Sequence, residues 1–156
     1  EAGMQYEKKR KVTLQVQLEG KVQDTVLEID ENFKPSKIRN CVEEFVDKMD
    51  AVRKMNRNHL DEIMEAYLMF MVIKHFSSFP APSKYREQVI VIKMMIETGL
   101  LYRIFAEFKQ SEISKVREEV EAFAEKIDEV ADAFVGMAKE YGWSDEPVED
   151  EGLVLK

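Results

Sequence analysis

The chain has 156 residues, a net charge of −8, 45% hydrophobic and 35% charged side chains. That length suits one domain burying one core, and that apolar content excludes a natively disordered chain. A single cysteine, Cys41, excludes an internal disulfide and points to a reducing cytoplasm.

The acidity lies late in the chain. Residues 111–143 carry nine acidic and four basic side chains, and residues 144–156 carry five and one. The earlier body is nearly neutral, and Lys8 to Lys11 is a short basic run, so no nucleic-acid partner is expected. The longest apolar run, Ala66 to Ile73, is far short of the roughly 20 residues that span a bilayer, so no membrane partner is expected either. Residues 1–3 precede a methionine and read as a non-native remnant before a natural start at Met4, with no signal-peptide core after it.

In "VTLQVQL", Val12, Leu14, Val16 and Leu18 alternate with Thr13, Gln15 and Gln17, the pattern of a half-buried strand. Gly20 marks a turn, and "VQDTVLEI" resumes the extended pattern, giving a β-hairpin over about residues 11–30. Val22 and Val26 share one parity there while Leu27 and Ile29 share the other, so a bulge or register shift near Val26 is expected. Pro35 and Ser36 then open a helix with the stripe Ile38, Val42, Phe45, Met49 and Val52. Asn58 caps the next, whose second half is apolar nearly all round and belongs in the middle of a bundle. "SSFPAPS" breaks the chain. "KYREQVIVIKMMIETG" carries a β-branched run, but its length, flanking charges and terminal Gly99 make it a helix. A short helix over Leu100 to Lys109 follows, and Ser111 caps the last one. The acidic residues 144–156 read as a flexible tail, leaving 4–143 as a single helical domain. The fold expected is mainly α (α+β): a small N-terminal hairpin and a bundle of about five helices, the last one long.

That last helix repeats one spacing over four heptads: Ile113, Val116, Val120, Phe123, Ile127, Val130, Phe134, Met137 and Tyr141. The positions flanking the seam read Arg117, Ala124, Ala131 and Ala138, and alanine there widens the apolar face beyond that of a dimerising coiled coil. The stripe is therefore read as one wall of the chain's own core, with Phe70, Phe123 and Ile127 buried. An intermolecular seam stays open as the other reading. The segment spans about 43 Å at 1.5 Å per residue, so its far end can outrun the body.

Little in the chain suggests catalysis. His59, Glu62 and Glu65 could share a helix face, but bundle metal sites use Glu-x-x-His pairs, and neither His59 nor His75 follows a glutamate by three. His75 reads as structural, near a helix C-terminus where an imidazole suits the dipole. The six glycines form no phosphate-binding loop, and no serine has a nucleophile's setting. No enzyme activity, catalytic residue, metal or cofactor is expected. Of nine methionines, Met64, Met69, Met71, Met94 and Met95 fall in the two most apolar helices. They serve core packing, or else a groove that receives an apolar helix from a client. On the second reading the partner-binding residues are Met64, Met71, Met94, Met95, Phe134, Met137 and Tyr141.

In order and texture the chain, with "ENFKPSKIRNCVEEF", "YLMFMVIKHFSSFPAP", "IKMMIETGLL" and the heptad helix, resembles the tail assembly chaperones of long-tailed bacteriophages and prophages over roughly residues 6–130. The resemblance implies a non-enzymatic protein, made in the bacterial host cell, that coats the helical tape-measure protein and helps the tail tube polymerise around it. The alternative is a self-associating helical module, structural or regulatory, with the heptad stripe as its seam.

Overall fold

The computed structural model describes residues 4–55 and 60–140, with side chains over 5–17, 19–52 and 62–126. The expected remnant (1–3), the Asn58 cap, His59, Tyr141 and the acidic tail lie outside the described residues. A short 3-10 turn, Met4–Glu7, precedes β1 (Lys9–Leu18) and β2 (Lys21–Asp30). Five helices follow: α1 (Pro35–Met55), α2 (Leu60–Phe76), α3 (Tyr85–Glu97), α4 (Leu100–Phe105) and α5 (Gln110–Glu140).

β1 and β2 pair antiparallel in one unbroken register, from Lys9 opposite Asp30 to Leu18 opposite Lys21. Two residues close the turn, and both have positive φ, 52° at Glu19 and 80° at Gly20. That is the type I′ geometry whose twist matches a right-twisted hairpin. No bulge interrupts the pairing, and Val22 and Val26 stand 62% and 58% exposed on the outer face. The expected shift near Val26 is thus absent. Val12, Leu14 and Val16 already fix the covered face together with Leu27 and Ile29, and a solvated sheet face tolerates β-branched valines.

The hairpin is tied down at its base. Ser78 donates its backbone N–H to the Glu28 carbonyl at 2.8 Å and accepts the Glu28 N–H on its hydroxyl at 2.9 Å. Phe33, just after β2, stacks on Phe76 at the end of α2 with centroids 3.8 Å apart, and meets Phe108 edge-on at 5.6 Å. The Phe33 N–H donates to the buried Glu112 carboxylate (2.8 Å), which locks the hairpin exit to the first turn of α5. Ser111, the expected cap, lies within that turn, since α5 begins at Gln110.

α2 is the central element. Every residue from Ala66 to Ile73 is buried, and so is Phe76. α1 covers one side with Ile38, Val42, Phe45, Met49 and Val52, the stripe read from the sequence. α5 lies along α1, with Ile113 and Val116 buried, and Arg117 clamps Glu65 of α2 through two hydrogen bonds of 3.1 and 2.8 Å. Cover then fades along α5: Val120 and Phe123 are only partly buried against the core, and Glu125 and Lys126 are exposed. Phe70 is buried as expected, Phe123 less than expected, and the side chain of Ile127 lies outside the described residues. α5 is about 46 Å long at 1.5 Å per residue. The body still covers it in part at Val120 and Phe123.

Candidate partner-binding cleft

The β-branched run of α3 makes a helix because Gly99, at φ 76°, closes it in the left-handed conformation that ends a helix cheaply. The Thr98 N–H reaches the Met94 carbonyl at 3.0 Å and the Gly99 N–H the Ile96 carbonyl at 3.1 Å, which satisfies the last turn. α3 then lies beside α2 with one row turned in: of its thirteen residues, Gln88, Ile92 and Met95 are buried. Ile90 and Ile96 remain 67% and 40% exposed. Because α3 presents so narrow a row, it does not fill the space beside α2. A cleft of about 650 Å³ remains, walled by Ile63, Ala66 and Tyr67 of α2, by Tyr85, Val89, Ile92 and Ile96 of α3, and by Val52 and Tyr102. Glu62 and Lys93 supply charge at its margin. Tyr67 and Tyr85 stack in parallel, with centroids 6.2 Å apart, and form an aromatic end wall.

A polar network lies beneath the cleft. Gln88 accepts the Tyr67 hydroxyl and donates from its amide nitrogen to Glu44 of α1 and to the Pro82 carbonyl, both at 3.0 Å. Glu44 also receives Lys74 and His75 of α2, each at 2.7 Å. Burial alone would raise the Glu44 pKa, but the hydrogen bonds from Lys74, His75 and Gln88 outweigh it, and the carboxyl titrates below its usual range. His75 is lowered in turn, chiefly by burial, with its bond to Glu44 opposing. An ionised carboxylate only accepts, so His75 presents the Nε2–H to it. Burial, then the neighbouring Tyr85 and Glu44, push the Tyr67 phenol up, so it stays a donor. Beside this network, Cys41 is fully buried, and its thiol is pushed up to about 12 by desolvation and by Glu44. A thiol so placed is a packing group and not a nucleophile.

The four sequence-derived partner residues whose side chains are described differ in depth. Met71 and Met95 are fully buried in the core, while Met64 and Met94 sit half-covered at its edge. Phe134 and Met137 lie on α5 with their side chains outside the described residues, and Tyr141 lies beyond them. The cleft is instead built from aromatic and β-branched residues that the methionine argument passed over. Gln88 left a signal in the sequence, a polar residue one turn before Ile92 and in phase with Met95. The cleft itself left none, because it is a shortfall of packing between helices.

Among the described residues no three His, Cys, Asp or Glu side chains gather as a metal site. Glu65, considered above beside His59, is engaged by Arg117. Among the same residues no helix is long and apolar enough to cross a membrane. No curated protein and no solved structure matches the chain. Its sequence does match a family, YomO, over residues 1–155. The chain belongs to the YomO family, a protein family associated with Bacillus phages and prophages.

Proposed function

We propose that the protein is a non-enzymatic tail assembly chaperone that binds the helical tape-measure protein in the host-cell cytoplasm and assists assembly of the tail tube. The observation that carries this reading is the apolar cleft beside α3, with Ile96 and Tyr102 exposed at its mouth. An amphipathic helix recognises such a groove by side chains at i, i+3, i+4 and i+7, and a tape-measure protein offers long stretches of that pattern. The phage and prophage association of the family supports the same reading. The basic run offers little to a phosphate backbone, since Lys9 is held by Asp30 at 2.6 Å and Arg10 by Glu31 and Glu107 at 3.3 and 3.1 Å. The groups best suited to chemistry are engaged or covered: His75 by Glu44, and Cys41 by burial.

The test is co-expression with the tape-measure protein of the same phage or prophage. The client is expected to stay soluble with several copies bound, and the complex to persist at about 0.5 M salt, because apolar burial is screened far less than exposed charge. A client that stays insoluble beside abundant folded protein refutes the reading. A second reading, a self-associating helical module of structural or regulatory kind, rests on α5. Its stripe is buried at Val116, half-covered at Val120 and Phe123, and continues in sequence through Ile127 to Met137. A concentration-dependent dimer in sedimentation favours that reading.

A further inference from the structure

α3 is more lightly anchored than the described part of α2. Of its apolar residues Ile92 and Met95 are fully buried and Tyr85, Val89, Val91 and Met94 partly covered, whereas α2 buries every residue from Ala66 to Ile73 and Phe76 besides. The helix that hides less apolar area opens first when parts of a protein open separately. Helical backbone breaks at both its ends: an extended segment with Pro80 and Pro82 leads in, and the left-handed Gly99 leads out. One of its walls is already wet, because the cleft of about 650 Å³ runs along it.

The polar anchor of α3 is the Gln88 amide. It is fully buried and fully used, with its oxygen on Tyr67 and its nitrogen on Glu44 and Pro82. These bonds release cleanly. When Gln88 leaves, Glu44 keeps Lys74 and His75, so the tie between α1 and α2 survives. Water entering through the cleft then satisfies the freed amide and the Tyr67 hydroxyl, which limits the cost of breaking them. We propose that α3 is a hinged flap that leaves α2 as a unit, turning about residues 80–84 and Gly99 while α1, α2 and the start of α5 stay folded. Gln88 is its latch. Opening widens the cleft and uncovers Ile92 and Met95 beside Ala66 and Tyr67.

Native-state amide exchange of the full chain tests this without any ligand, because a detached helix of thirteen residues is marginal in water and loses its own hydrogen bonds. In the wild type, the amides of α3 share one protection factor at least about tenfold below those of residues 66–76, and low urea changes it less than theirs because opening α3 exposes less surface than opening α2. Gln88→Ala lowers protection of α3 by roughly a further tenfold and leaves residues 66–76 unchanged. Equal protection of α3 and α2 in the wild type, or an α3 rate that climbs with urea as steeply as that of α2, overturns the proposal. So does Gln88→Ala loosening both helices alike. If that variant does not fold, the two wild-type measurements still decide.

Discussion

Truncating Phe70 and Phe123 separately measures how far the body covers α5. Phe70 is 0% exposed at the centre of α2, so Phe70→Ala leaves a closed cavity and costs about 3–5 kcal/mol. Phe123 is partly buried at the edge of the core. Full burial of such a ring is worth about 1.5–3 kcal/mol, and partial cover returns roughly half of that. With solvent able to fill the space left, Phe123→Ala costs about 0.8–1.5 kcal/mol. For a chain of this size each kcal/mol lowers Tm by about 2–4 °C, so the two variants fall by about 6–20 °C and 2–6 °C. Urea unfolding followed by far-UV circular dichroism gives the free energies, with m unchanged if the unfolded states are alike. A Phe123→Ala cost equal to that of Phe70→Ala refutes the described cover of α5. It would mean that a second copy buries the ring, and the unfolding midpoint should then rise with protein concentration.

Acidification should destabilise the fold in two stages. His75 titrates below its ordinary 6.5 when folded, mainly through burial and against its bond to Glu44, with Lys74 and Lys37 also lowering it. The unfolded chain therefore takes up that proton first, and stability falls as pH drops from about 6.5 through the folded value. Glu44 lies below its ordinary 4.5, so its contribution is present above that pH and is lost as pH falls through its own folded value. His75→Gln should flatten the upper stage in pH-dependent urea titrations, and an unchanged slope between pH 7 and 5 would count against the network. Glu19 holds a left-handed φ of 52° at the first central turn position, which asparagine adopts more readily. Glu19→Asn should raise stability by about 0.5–1 kcal/mol, and a loss would argue against the type I′ turn.

The hairpin was legible because alternation and a turn glycine act locally, and the covered parity of β1 was read without error from Val12, Leu14 and Val16. β2 misled because exposed valines look apolar in a pattern, although a two-stranded sheet covers one face here and leaves the other wet. Helix α3 was legible through Gly99 despite its β-branched run. The fading cover on α5 was not, since the stripe keeps one spacing from the buried Val116 to the partly covered Val120 and Phe123. The partner surface was hardest of all. Methionine identity says a residue is adaptable, but the depth of each helix in the bundle decides whether it is seen, and Met71 and Met95 ended inside. Exposed Ile90 and Ile96 follow from which face α3 turns inward, a consequence of helix placement that no local pattern encodes.

The central claim is that the cleft beside α3 seats a client helix. Ile96 and Tyr102 line it and are 40% and 53% exposed, so a charge at either site should reach solvent without disturbing the core. The direct measurement is the soluble fraction of tape-measure protein co-expressed with wild type, Ile96→Glu or Tyr102→Glu, at matched levels of each. The account predicts soluble client with the wild type, and client lost to the pellet with either variant, while both variants keep wild-type circular dichroism and melting. Client held equally well by all three proteins would contradict it and move the binding surface away from the cleft.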